Sequence, residues 1–207
     1  MRFPAGSGPV LLTGFEPFGG WPRNPSADAA LTAAARLRGR GALALARVLP
    51  VELARAPDLL RSLVAEHRPR AVVCAGLHGR ATVVRVERRA ANEARFAIPD
   101  NAGRCADGEP LELGAGDRAV EVDGLVACLA AGGVPATGSD DAGRYLCNAV
   151  FFAALGLGLP AAFLHLPPPP GLRPDGATEH GAATEGDLAP DLLARAMVLA
   201  AGYLCVP

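Results

Sequence analysis

A nucleophile and a base stand close together in this sequence. Cys147 lies in Asp140-Asp141-Ala142-Gly143-Arg144-Tyr145-Leu146-Cys147-Asn148, where turn-forming Asp and Gly residues give way to an apolar segment over 149–157. Leu146, Val150, Phe151 and Leu155 fall on one helical stripe, which predicts a helix from about Ala142 with the thiol in its first two turns. The unpaired N–H groups and the positive dipole end of such a start favour a thiolate over a thiol, and the thiolate is the nucleophilic form. Read locally, the same residue also fits a small buried hydrophobe. His165 favours the first reading. It comes eighteen residues later, in Ala161-Ala162-Phe163-Leu164-His165-Leu166, an apolar run that reads as a buried strand and stops at four consecutive prolines. A helix followed by such a strand folds the chain back on itself, and in α/β sheets chemistry gathers at the carboxyl ends of strands.

The elements that must hold this pair alternate along the chain. Residues 9–13 predict a strand that turns at Gly14 into Gly14-Phe15-Glu16-Pro17-Phe18-Gly19-Gly20-Trp21-Pro22-Arg23-Asn24-Pro25-Ser26. Two phenylalanines and a tryptophan in a loop must cover something, either an apolar ligand or the end of the core. The glycine spacing carries no Gly-Lys-Ser/Thr and no Gly-x-Gly-x-x-Gly, so neither phosphate-binding pattern is present. Pro25 opens a helix, a strand is expected over 43–51, a helix over 56–67, and strands over 70–76 and 83–88. In the last of these Val84 and Val86 share one face and Arg85 and Glu87 the other, so that by itself Glu87 reads as a surface partner of an arginine. Residues 92–110 form a long irregular segment of the kind that carries function. A helix over 122–131, a short strand over 134–137, a Pro-, Gly- and Thr-rich flap over 167–186 and a terminal helix over 187–204 complete the pattern. The alternation predicts one α/β domain spanning 1–207, a three-layer α/β/α sandwich around a largely parallel, mixed sheet.

Composition narrows the function. With 207 residues, half of them hydrophobic, the chain can bury one substantial core. A formal charge of −1, no basic run and no interleaved aromatics argue against nucleic acid as a partner. No apolar run approaches the length of a membrane span and the first eight residues hold no long apolar core, so a cytoplasmic protein without a membrane partner is expected. Cysteines 74, 105, 128, 147 and 205 are odd in number and irregularly spaced, which argues against a disulfide framework and against structural zinc. Cys74 and His78 are four apart, but a strand-to-loop junction does not hold them as a helix would, so no metal is expected there either.

Taken in order, Thr13-Gly14-Phe15-Glu16-Pro17-Phe18-Gly19-Gly20, Asn24-Pro25-Ser26, Leu49-Pro50-Val51, Val86-Glu87-Arg88, Ile98-Pro99-Asp100-Asn101, Ala142-Gly143-Arg144-Tyr145-Leu146-Cys147-Asn148 and Phe163-Leu164-His165-Leu166-Pro167 resemble the landmarks of the pyroglutamyl peptidase type I family across nearly the whole chain. The resemblance implies that Cys147 is the nucleophile, His165 the general base and Glu87 the acid that orients the histidine, in place of the surface-pair reading. It implies further that Phe15 and Phe18 enclose the pyroglutamyl ring, that Ile98, Tyr145 and Leu146 line the same pocket, and that Asn24 lies near the substrate. Two positions depart from the family pattern. Leu77 stands where many members carry a glutamine that can reach the lactam, and Ala97 stands where an arginine often precedes the Ile-Pro-Asp-Asn motif, with Arg95 two residues earlier.

The implied activity is hydrolysis of the bond after an amino-terminal pyroglutamyl residue of peptides, through a thioester and without metal or organic cofactor. A neutral lactam calls for apolar walls and few hydrogen bonds. Members often form tetramers, so a homo-oligomer, tetramer or dimer, is what the resemblance implies for assembly. Two other readings remain open here: a thiol hydrolase of another small amide, and an inactive relative that binds a ligand.

Overall fold

The computed structural model describes residues 8–174 and 188–206. The first seven residues, the part of the expected flap from 175 onward and the first residue of the expected terminal helix lie outside them. The elements run β1 (Val10–Phe15), α1 (Pro25–Gly39), β2 (Ala44–Leu49), α2 (Ala56–His67), β3 (Ala71–Leu77), β4 (Val84–Glu87), β5 (Arg89–Ala90), β6 (Ala94–Arg95), β7 (Asp107–Glu109), β8 (Arg118–Ala119), α3 (Asp123–Ala131), β9 (Ala136–Ser139), α4 (Leu146–Leu155), β10 (Ala161–Leu166) and α5 (Pro190–Leu204).

Six strands form one sheet in the order β2-β1-β3-β10-β4-β9. The first four are mutually parallel, β4 runs antiparallel to β10, and β9 is parallel to β4, so the sheet is mixed as expected. Side-chain alternation splits its residues between two cores. On one face Val10, Leu12, Val73, Ala75 and Leu164 pack against α1, α3 and α5. On the other Leu11, Val72, Cys74 and Phe163 pack against α2 and α4. Phe151, Phe152 and Phe163 are fully buried in this second core, and each stabilises the domain by roughly 1.5–3 kcal/mol through apolar area removed from water.

The segment over 92–110 is more regular than its composition suggests. Within it Ala94–Arg95 pairs antiparallel with Asp107–Glu109, and on either side of it Arg89–Ala90 pairs antiparallel with Arg118–Ala119. Strands of two or three residues are too short to show a period, which is why the sequence reads as loop there. Helix α4 starts at Leu146, later than the apolar pattern suggests, because Gly143 takes φ +76 and Tyr145 is extended. The strand expected over 134–137 falls at Ala136–Ser139, in register with β4.

Candidate active site

Cys147 sits in the first turn of α4 and is partly exposed. Beneath it lie two neighbours in the sheet: Gly76 near the end of β3 and His165 on β10 are register partners. A Cβ added to Gly76 would come within 2.6 Å of the Cys147 Sγ and 3.2 Å of the Phe163 ring. The sulfur therefore occupies the space that a side chain at position 76 would fill, beside the imidazole. Gly76→Ala would turn the thiol away from His165. A loss of about 100-fold in kcat is expected, because a displacement of about 1 Å can cost that much. Measured turnover within threefold of wild type would show that the sulfur position is not set by Gly76.

His165 is 4 % exposed, and its Nδ1 is 2.7 Å from Oε1 of the fully buried Glu87. With Nδ1 committed to the carboxylate, Nε2 is the nitrogen left for sulfur, and the imidazole and the Cys147 thiol line one cleft. The rings of Phe163 and His78 stand edge-on to it at centroid distances of 5.0 and 5.3 Å. Burial disfavours the imidazolium, but the Cys147 thiolate and its hydrogen bond, together with Glu87, outweigh burial and push His165 up to about 9. Since this lies above the ordinary 6.5, the imidazolium's contribution to stability is fully present below that value and is lost as pH rises through about 9.

Arg85 and His78 complete this end. Neither stands out in the sequence, where the one signal is that Arg85 shares a strand face with Glu87. Arg85 Nη2 donates to Ser139 Oγ at 2.6 Å, its Nη1 lies 3.3 Å from His78 Nε2, and its Nε is 3.7 Å from Glu87 Oε1. Burial first, then the charges of His165 and Arg85, lower the pKa of His78 and keep it neutral at neutral pH. A neutral ring accepting from Arg85 at Nε2 carries its proton on Nδ1, which has no hydrogen-bond partner among the described residues.

The other end is aromatic. Phe18 and Tyr145 have ring centroids 5.8 Å apart, Phe96 stands edge-on to Tyr145 at 4.7 Å, and the Tyr145 hydroxyl donates to the Pro99 carbonyl at 3.1 Å. Burial, with the charges of Asp100 and Cys147, pushes Tyr145 up to about 12, so it stays a neutral phenol. Side-chain hydrogen bonds fasten these loops together. Glu16 Oε1 accepts from the Val51 N–H and from Asn101 Nδ2, while Asp100 accepts from the N–H groups of Leu53, Ala102 and Arg104. Asn148, next to the thiol and fully buried, accepts from the Ala91 N–H and donates to the carbonyls of Ala91 and Glu93. Asn148→Ala leaves those three backbone groups unpaired. It should cost about 2–4 kcal/mol, read as a fall in Tm of roughly 5–12 °C by calorimetry; an unchanged Tm would count against this clamp.

Phe18, Leu77, Tyr145, Cys147 and His165 line one cleft of about 700 Å3. The remaining expected site residues lie around it without lining it. Phe15 is in the core, its N–H bonded to Ser26 Oγ, and Leu146 is buried at the start of α4. Ile98 is 42 % exposed and sits against the Phe18 loop, where a Cβ on Gly19 would come within 2.8 Å of it. Asn24 is the N-cap of α1: its Oδ1 accepts from the Ser26 N–H and hydroxyl, and its Nδ2 donates to the Glu16 carbonyl. The Arg95 guanidinium is held by Glu93 and Asp107. Among the described residues no group of three or more His, Cys, Asp or Glu could hold a metal ion, and no helix is long and apolar enough to cross a membrane.

Comparison with known proteins gives a consistent result. The model of a family described as pyroglutamyl peptidase matches residues 9–173. A pyrrolidone-carboxylate peptidase of Gloeobacter violaceus is 37 % identical over 198 residues, covering 92 % of this chain and 94 % of its own. One from Chromobacterium violaceum is 42 % identical over 182 residues, covering 84 % and 82 %. Among solved structures, pyroglutamyl peptidase I from Bacillus amyloliquefaciens superposes with a TM-score of 0.85 at 27 % identity, over 97 % of this chain and 96 % of that one. A mutant pyrrolidone carboxyl peptidase from Pyrococcus furiosus gives 0.84 at 29 % identity, over 94 % and 97 %.

Proposed function

The chain belongs to the pyroglutamyl peptidase family, and from that premise we propose that it removes amino-terminal pyroglutamate from peptides, with Cys147, His165 and Glu87 as its catalytic groups. The observation that carries this reading is a thiol resting on a bare glycine beside an imidazole whose far nitrogen is held 2.7 Å from a buried carboxylate.

The Cys147 thiolate attacks the carbonyl carbon of the pyroglutamyl residue, forming a C–S bond and moving the carbonyl electrons onto oxygen. No side chain caps α4 at Tyr145, so the amides of its first turn remain to donate to that oxyanion. As the intermediate collapses, the C–N bond breaks and His165, protonated at Nε2, delivers its proton to the leaving amine. The neutral imidazole then takes a proton from water, which attacks the thioester and releases pyroglutamate, and the thiolate–imidazolium pair is restored. Glu87 holds the ring and balances its charge throughout.

The ring of the substrate goes to the aromatic end, against Phe18 and Tyr145, with Leu77, Phe15, Ile98 and Leu146 as the apolar surroundings and Asn24 holding the Phe18 loop. With Leu77 in place of an amide side chain, the lactam's polar atoms must be met by main-chain groups. All five cysteines are free, in keeping with a reducing, cytoplasmic setting, and the whole chain is assigned to one catalytic domain.

The direct test is hydrolysis of a pyroglutamyl-anilide alongside a prolyl-anilide, which has the same ring size without the lactam carbonyl. Release of aniline from the first and not the second supports the assignment. No release from the first, with a folded protein and a free thiol, would overturn it.

A further inference from the structure

The lining of the cleft divides by chemistry. Phe18, Leu77 and Tyr145 are its apolar part, and Arg80, Arg85 and His78 its basic part. A pyroglutamyl group has neither a charge nor an amine, so it has no use for a cation. A cation on this lining with no partner of its own has only the portion of the substrate beyond the scissile bond to serve.

Most of the charges here are already balanced. Glu87 faces both His165, at 2.7 Å, and Arg85, whose Nε lies 3.7 Å away. Asp141, the one acid on the cleft lining, is bound by Arg144 at 2.7 Å, and His78 is neutral. Arg80 is exposed and makes no hydrogen bond or ion pair with another of the described residues, so its charge is in surplus. It also stands, with Gly79, at the passage from the cleft into an adjoining hollow of about 300 Å3 walled by Trp21 and Pro168. Trp21 closes on Gly79 so tightly that a Cβ there would come within 2.8 Å of the indole. The hollow therefore has a definite aromatic wall and enough volume for one further residue.

We infer that Arg80 is a specificity-determining residue that receives a carboxylate from the leaving part of the substrate. The carboxylate can belong to the free α-carboxyl of a pyroglutamyl dipeptide or to the side chain of an acidic residue after the pyroglutamate. This rests on the proposed peptidase activity and names the substrates that activity favours. Arginine suits the task because its guanidinium meets a carboxylate with two parallel donors.

Three substrates separate the possibilities: pyroglutamyl-alanine, its amide, and pyroglutamyl-glutamate amide with only the side-chain carboxylate. For the wild type, kcat/KM for at least one carboxylate substrate should exceed that for pyroglutamyl-alanine amide by about two- to fivefold, the size of an exposed arginine–carboxylate contact. Which of the two gains identifies the source of the carboxylate. The preference should shrink as salt is raised, fall to about one in Arg80→Gln and persist in Arg80→Lys. Turnover of all three at equal rates, or a preference unchanged in Arg80→Gln, would overturn the role of Arg80 and leave the peptidase assignment standing. No turnover of any of them by folded wild type would overturn both.

Discussion

Cys147→Ser and His165→Ala are each expected to lower kcat/KM on a pyroglutamyl-anilide by about 10^4-fold or more, and the double variant to lose no more than the worse single one. A serine hydroxyl in the place of sulfur is not ionised near neutral pH, and the imidazolium that favours a thiolate cannot make it so. Without His165 the sulfur loses the cation beside it and the leaving amine loses its proton donor. Either change stops the same step, which is why the effects do not add. Both variants should bind pyroglutamate as the wild type does, since the apolar end formed by Phe18 and Tyr145 is untouched. Additive losses, or residual activity within 100-fold of wild type in either variant, would show that the two groups do not act on one bond.

Glu87→Gln should have the next largest effect, a fall in kcat of about 10^3–10^4-fold, as found when a buried carboxylate that orients a catalytic histidine becomes an amide. The carboxylate accepts from Nδ1 at 2.7 Å and so directs the other nitrogen at sulfur. A glutamine can present its NH2 group instead, reversing the tautomer of the neutral ring. The substitution also removes one of the groups that hold His165 at about 9. In the wild type the alkaline limb of kcat/KM should therefore lie near pH 9, where the imidazolium is lost, and in Glu87→Gln it should move down toward the ordinary 6.5. These limbs belong to the coupled thiol–imidazole pair as a unit. A loss below threefold with an unmoved limb would mean that Glu87 serves only as a partner for Arg85.

Local pattern was enough to place the large elements. Helix Ala56–His67 falls where the periodicity puts it because it buries one face at the helical period, and strand Ala161–Leu166, buried on both faces, shows as one continuous apolar run. The pairs β5 with β8 and β6 with β7 were beyond that reading. They are held by partners more than ten residues away along the chain, so nothing local marks them. Asn24, by contrast, sits before Pro25 and Ser26 in a sequence that already spells a helix cap, and capping is what its side chain does.

The amino-acid order by itself determined the alternating architecture, the two faces of β4, and the pairing of a cysteine at a helix start with a histidine on a buried strand. Only the tertiary structure decided how those groups meet. Parallel pairing of β3 with β10 puts Gly76 beside His165, the missing side chain of Gly76 makes room for sulfur from α4, and antiparallel pairing of β4 brings Glu87 to the imidazole and Arg85 to His78. The reason is register. A strand shows in its own sequence which residues share a face, but which residue of another strand lies alongside depends on the pairing of the whole sheet, since a slip of one position would turn every side chain to the opposite face.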